Sequence, residues 1–339
     1  MKQELIRIAL RLCYGNEWSE LLSHKVKALI ISRKYNAARG KKPIVISLSN
    51  NIWAKAGLCD RLKGMMGIYK ICKELGLQYK IGHYNPFDLS DYLRPHEVNW
   101  LICEDDIDMD LHNVKIIEWC PIGNSLTGRK GVVDVNFTHD HLYKWIEEAS
   151  NTGKKQIHIY GNSYAITDDD IHTLFHELFI PTEELQRQIE WNKIQIGGPY
   201  VSVSTRFQNL LGDFYEGDKY GTLETEEIKG IYINRCLEKV EEIHKQHPDK
   251  RVLVTSDSLR FLTAANNLSY THVIPGEVVH MKYTTNASHV VYQKSFVDLL
   301  TIADAQKVYF IATGKMYRNS GFARTGACIH NRAYESIYF

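Results

Sequence analysis

Neither sign of charge predominates in this chain: 41 lysines and arginines stand against 40 aspartates and glutamates over 339 residues. A binder of polymeric nucleic acid usually carries a marked basic excess, so that class is disfavoured. The 7 cysteines are odd in number and scattered, with no Cys-x-x-Cys pair. That argues against a disulfide framework or a zinc cluster and fits a reducing compartment. No run approaches the roughly 20 apolar residues needed to span a bilayer. The opening MKQELIRIALRLCYGNEW intersperses charge at helical spacing and lacks the apolar core of a signal peptide. The sequence therefore reads as a soluble, cytoplasmic protein, with peripheral membrane contact left open. A G-x-G-x-x-G fingerprint and a Walker A loop are both absent, as are fixed-period repeats and low-complexity runs.

What is present is apolar content of 44% spread over more residues than one core usually spans, so two domains are expected. Residues 1 to 35 read as mostly helical, and AARGKK ends that region. PIVISLSN reads as a buried strand, because Ile44, Val45, Ile46 and Leu48 leave little polar face. Leu58, Leu62, Met65, Tyr69, Cys72 and Leu75 then recur at three- and four-residue steps, with Gly76 placed to end a helix. QYKIGHY, NWLICEDD, VKIIEW and KQIHIYG read as further strands, with a helix from about Asp168 to Ile180. The second half repeats this rhythm through YVSVST, KRVLVTSD, THVI and KVYFIAT, and closes on GFARTGACIHNRAYES as a helix. Strands separated by helices imply parallel sheets covered on both faces. The expected fold is α/β, two Rossmann-like domains facing across a cleft, divided into 1–190 and 191–339.

Open parallel sheets bind ligands at the carboxyl ends of their strands. Three polar clusters fall there in the second half. In VSVSTRFQNLLGDF the β-branched alternation of Val201 and Val203 stops, and Ser204, Thr205 and Arg206 follow, with Gln208 and Asn209 beyond. Thr255, Ser256 and Asp257 follow RVLV, and TGKMYRNSGFAR follows VYFIA, with Ser320 and Gly321 opening the last helix. A helix start with free backbone N–H groups is an anion site by geometry, and an arginine adds a planar bidentate fork. Together they describe a nucleotide or nucleotide-sugar site. Each element also has a plain reading: Arg206 as a salt-bridged arginine, Ser320 as an N-cap, Asp257 as a cap for the helix near Leu259.

The first half supplies a fourth cluster in SNNIWAKAGLCDRLKG. Gly57 allows close approach of a ligand or of the second domain, and Asp60 and Arg61 lie in the first helical turn. The plain reading is a capped amphipathic helix whose dipole favours Asp60.

The segment AGLCDRLKGMMGIYKICKELG resembles the opening motif of the fucosyltransferase superfamily that includes α-1,2, α-1,6 and protein O-fucosyltransferases. The family pattern Gly-Gly-x-Gly-Asn-Arg falls on Ala56, Gly57, Leu58, Cys59, Asp60 and Arg61. VSVSTRFQNLLGDF resembles its strand ending in His-x-Arg, so the arginine that clamps the donor pyrophosphate falls on Arg206. VLVTSDSLRFL resembles another family strand end and puts Asp257 near the guanine or ribose. Ser320, Gly321 and Phe322 fall on the helix start that meets the donor phosphates. The similarity runs loosely from about residue 44 to 330. Cys59, Asp60 and Ser204 stand where the family has glycine, asparagine and histidine, which makes this a divergent member.

The resemblance implies a GT-B type, inverting, metal-independent enzyme moving fucose from GDP-fucose, or another GDP-sugar, to a glycan hydroxyl, with no resident cofactor. Residues 1–190 would take the acceptor and 191–339 the nucleotide sugar. Arg206 is the expected stabiliser of the leaving pyrophosphate, and Asp60 a candidate base, with Glu118 and Glu104 to Asp106 as other acids. Trp53, Trp100 and Trp119, among 20 Tyr and 6 Trp, could stack on sugar or simply pack. The alternatives are a degenerate nucleotide-sugar-binding or scaffold protein, and a transferase using a different nucleotide sugar.

Overall fold

A computed structural model describes residues 25, 43–50, 56–119, 134–162, 165–218, 221–284 and 286–339. The expected N-terminal helix, apart from Lys25, and Trp53 lie outside the described residues. The chain divides into two compact units. The first holds the described residues up to Ala56, Asp60–Asp88 and Pro95–Asp170; the second holds Gly57–Cys59, Leu89–Arg94 and Ile171–Phe339.

In the first unit, β1 (Ile44–Ser49) leads to helix α1 (Leu58–Leu75) and β2 (Tyr79–His83). The apolar steps along α1 bury Leu62, Met65, Met66, Tyr69 and Cys72, and Gly76 ends it at a positive φ of 63°. Tyr79 ties the next strand back to the helix, its hydroxyl donating to the Met65 carbonyl at 3.0 Å. The next strand, β3 (Leu93–Pro95), belongs to the second unit through Leu93 and Arg94; back in the first, β4 (Val114–Trp119) follows, and helix α2 (Val135–Ser150) packs on β4 and on β5 (Gln156–Gly161). Asp134 caps α2 by accepting from the Phe137 N–H. The sheet order is β2-β1-β5-β4, all parallel.

NWLICEDD is not a strand. Ile81 makes one isolated bridge with Leu101, and Glu104–Asp106 form a single 3-10 turn. Trp100 is buried and Ile102 packs half-buried on the core, while Leu101 between them is 45% exposed. Trp100 is therefore a packing residue, whereas Glu104 to Asp106 are exposed.

The second unit takes in α3 (Asp168–Leu178) from Ile171 onward, then β6 (Phe179–Pro181), α4 (Glu183–Ile196), β7 (Tyr200–Thr205), α5 (Glu226–Gln246), β8 (Arg251–Thr255), α6 (Leu259–Asn266), β9 (Thr271–His272), α7 (His289–Asp304), β10 (Lys307–Ala312), α8 (Gly321–Ile329) and β11 (Ala333–Tyr338). Helix α4 packs on α7, so the contact division falls at Asp170 and Ile171, upstream of 190/191. Gly197, at a φ of 80°, is its C-cap.

The sheet order is β11-β10-β7-β8-β9, parallel throughout. Every residue of β7 is buried. Successive side chains point to opposite faces, so both faces of this central strand are covered. Each fully buried valine or phenylalanine here contributes roughly 1.5–3 kcal/mol. Helix α8 approaches α7 closely because residue 326 is glycine: a Cβ there would meet Ile302 Cγ2 at 2.7 Å.

The last helix is shorter than the sequence suggests. It ends at Ile329; Asn331 turns the chain at a φ of 51°, and β11 then pairs with β10. Asn tolerates the left-handed region better than other non-glycine residues. As an edge strand, β11 is exposed at all but Tyr334 and Ile337, so it lacks the buried apolar run that marks a central strand. Among the described residues, no helix is long and apolar enough to cross a membrane.

Candidate functional site

The three polar clusters of the second half end three neighbouring parallel strands, because β7 lies between β10 and β8. Ser204 stands opposite Thr255, and Thr205 opposite Ile311. Side chains weld the first two ends together: Ser204 Oγ lies 2.6 Å from Thr255 Oγ1, and Thr205 Oγ1 donates to Ser256 Oγ at 2.8 Å. The third end joins through the backbone, where the Tyr317 N–H donates to the Arg206 carbonyl at 3.3 Å.

Asp257 organises the loop that carries Arg206. Its Oδ1 accepts from the Phe207 N–H at 2.8 Å and its Oδ2 from the Gln208 N–H at 2.7 Å. Those bonds hold Gln208 in the left-handed region at a φ of 55°, a strained setting for a non-glycine residue. Asp257 does not cap α6. Ser258 does that by accepting from the Phe261 N–H, and Asp213 supports it by accepting from Ser258 Oγ and the Arg260 N–H. With both oxygens engaged and only 4% exposure, Asp257 shapes the loop rather than presenting a free carboxylate to a guanine or ribose.

Arg206 is enclosed by Asp257, a candidate from the sequence, and by Glu216 and Phe214, which the sequence reading did not single out. Its Nη2 lies 2.7 Å from Glu216 Oε2 and its Nε 3.4 Å from Asp257 Oδ2. Its guanidinium sits 5.4 Å from the Phe214 ring centre. His280 Nε2 stands 3.6 Å from Glu216 Oε1, and His280 contacts Phe214 and Tyr283. Burial works against the guanidinium charge, but Asp257 and Glu216 outweigh it and hold Arg206 above its ordinary pKa. Burial pushes the Asp257 carboxyl up, against the pull of Arg206 and the two amides. Two carboxylates thus face one guanidinium, the salt-bridged arrangement weighed from sequence. Glu216 carried a faint signal as an acid ten residues beyond Arg206; His280, 74 residues away, carried none.

Ser320 is the N-cap residue of α8, yet its side chain makes no capping hydrogen bond. Gly321 and Phe322, in the first turn, are half-buried, and no acidic side chain occupies that turn. The helix start therefore retains the positive end of its dipole.

In the first unit, Arg61 is buried at 3% exposure. Its Nε donates to the Ala56 carbonyl, and its Nη1 reaches Ser49 Oγ, the Asn85 carbonyl and His83 Nε2, all at 3.0 or 3.1 Å. His83 accepts there through Nε2, because its Nδ1 faces the Phe87 carbonyl at 3.0 Å and must carry the proton. Burial, with Arg61 adding to it, pushes the His83 pKa down to about 3. Arg61 is thus committed to bracing the ends of β1 and β2. Asp60 and Gly57 are half-buried at the start of α1, and Gly57 is not among the glycines with positive φ. Glu118 sits half-buried on β4.

Among the described residues, no group of three or more His, Cys, Asp or Glu side chains is placed to hold a metal ion. No protein-family model and no curated protein matches the sequence. Solved structures do resemble it. Fucosyltransferase NodZ from Bradyrhizobium superposes with a TM-score of 0.54 at 12% identity, over 84% of this chain and 91% of that one. A mutant of Arabidopsis thaliana FUT1 in complex with GDP gives 0.52 at 9% identity, over 99% and 78%. POFUT1 in complex with GDP gives 0.51 at 12%, over 89% and 99%. At such identities the likeness is one of fold: two α/β units, each built on a parallel sheet, as in a GT-B-type two-domain fold.

Proposed function

We propose that this chain is an inverting, metal-independent glycosyltransferase that moves fucose from GDP-fucose to a glycan hydroxyl. The carrying observation is the union of three adjacent strand ends around Arg206, followed by an α8 start whose serine spends nothing on capping. In this reading Arg206 and the Ser320, Gly321 and Phe322 turn take the charge that grows on the leaving pyrophosphate. Preorganised donors of that kind are each worth roughly 3 to 4 kcal/mol in the transition state. Asp257 positions the arginine loop. Asp60 receives the acceptor proton, Gly57 permits close approach, and Arg61 acts at one remove by bracing the strand ends beside them. The second unit takes the nucleotide sugar and the first takes the glycan. The donor is a substrate, so no resident cofactor is needed.

One observation favours a second reading: the Arg206 fork already faces Glu216 and Asp257. With Ser204 and Cys59 at family histidine and glycine positions, this suits a protein that keeps the fold and has lost turnover. Calorimetric titration without divalent metal against GDP-fucose, GDP-mannose, GDP and UDP-sugars separates the readings. Preferred GDP-fucose binding supports the transferase. Preference for another nucleotide sugar changes the donor, and no binding puts the scaffold reading first.

A further inference from the structure

The two carboxylates on Arg206 differ in kind. Asp257 is fixed, each oxygen holding a backbone amide of its own loop. Glu216 has no such anchor on its side chain. Its side chain faces other side chains only: Oε2 lies 2.7 Å from Arg206 Nη2 and Oε1 3.6 Å from His280 Nε2. Its backbone is anchored separately. Asn209 Oδ1 accepts from the Glu216 N–H at 2.8 Å, and Asn209 Nδ2 donates to the Gly217 carbonyl at 3.1 Å. Gly217 follows at a φ of 95°, where a Cβ would meet the Tyr283 hydroxyl at 3.0 Å. A second acceptor-seeking group lies in the same loop: the Gln208 Nε2 is buried without a partner. A buried donor left unpaired ordinarily costs about 1–3 kcal/mol.

We infer that Glu216 is an exchangeable counter-ion of Arg206, which a diphosphate displaces and a monophosphate does not. The inference rests on the nucleotide-sugar reading of this site. A carboxylate offers the guanidinium one charge. A diphosphate offers more charge and several acceptor oxygens, so it can take the Nη2 edge that Glu216 holds through one carboxylate oxygen. The released carboxylate has a neighbour to turn to, His280 Nε2 at 3.6 Å from its Oε1. Asp257 stays in place and keeps the arginine aimed. Competition with an internal carboxylate weakens every ligand, but it weakens most those with less charge and fewer acceptor oxygens, and this makes Glu216 a selectivity device for diphosphates.

The test is calorimetric titration of the full chain and of its Glu216→Gln and Glu216→Ala variants with GDP, GMP and inorganic pyrophosphate at one ionic strength. The glutamine keeps the shape and removes the charge. Both variants are expected to bind pyrophosphate and GDP on the order of tenfold tighter, with the preference for GDP over GMP reduced by a similar factor. Binding by the variants alone would support the same conclusion. Wild-type binding with equal or weaker binding in a folded variant overturns the counter-ion role and leaves the nucleotide site standing. A wild-type chain that binds GDP but prefers it to GMP by less than about twofold overturns that role without any variant. No binding by any form overturns the nucleotide reading, and this inference with it.

Discussion

Asp257 faces Arg206 across the ends of two neighbouring strands, Oδ2 to Nε at 3.4 Å, while the same oxygen accepts the Gln208 N–H. The aspartate therefore fixes both the arginine's charge environment and the backbone from which it projects. Arg206→Ala should lose GDP binding, and it should also destabilise the fold. It leaves the Asp257 and Glu216 carboxylates without their cation, and breaking a buried pair costs about 3–5 kcal/mol. The lower end applies here, since the arginine side chain is 20% exposed and two amides still hold Asp257. Arg206→Lys keeps the charge and loses the planar fork, so it should retain most of the stability while binding GDP poorly. Urea unfolding and calorimetry on the two variants report these separately, and GDP binding at wild-type strength in the alanine variant would rule Arg206 out.

His83 gives the first unit an acid sensitivity whose direction is fixed. Its folded-state pKa of about 3 lies below the ordinary imidazole value, so the folded chain takes up this proton less readily than the unfolded one. The stability it contributes is complete above about pH 6.5 and is lost as pH falls toward 3. Protonation would also end the bond that Nε2 accepts from Arg61. In His83→Gln the gap in unfolding free energy from wild type should narrow from pH 7 to pH 4. A gap of constant size would mean that His83 does not titrate between the two states.

Much of this architecture is legible in the order of residues because hydrophobic period is a local signal. Ile44 to Leu48, the Leu58 to Leu75 steps and Val252 to Val254 each announce their element, and parallel alternation follows from them. The three polar strand ends are legible for the same reason, since each interrupts an apolar run. Their adjacency depends on strand order, which no local pattern encodes. Glu216 reaches Arg206, and His280 reaches Glu216, through irregular loops, where no periodicity marks a position as near or far. The β11 edge strand escapes because exposure lets its residues stay polar, and NWLICEDD misleads because one buried tryptophan among apolar neighbours imitates a strand.

Asp60 is ionisable where the resembled motif has an amide, and it sits half-buried in the first turn of α1. If it receives the acceptor proton, Asp60→Asn should leave GDP affinity unchanged and slow transfer by roughly 10²- to 10⁴-fold, the usual contribution of a positioned base. The substitution preserves shape, so unchanged GDP binding doubles as evidence that the fold is intact. Full turnover in this variant would remove Asp60 from the role and turn attention to Glu118.

Ser320 offers the sharpest separation of a binding role from a structural one. An N-cap serine normally accepts a backbone N–H from its own helix, and replacing it with alanine costs about 1 kcal/mol. Ser320 makes no such bond, so Ser320→Ala should change the unfolding free energy by much less than that. Ser320 opens the helix at the positive end of its dipole, where a phosphate is favoured. The same variant should therefore weaken GDP and GDP-sugar binding by about tenfold at unchanged melting temperature. A fall in stability with unchanged nucleotide affinity would make Ser320 an ordinary cap and move the phosphate site away from α8.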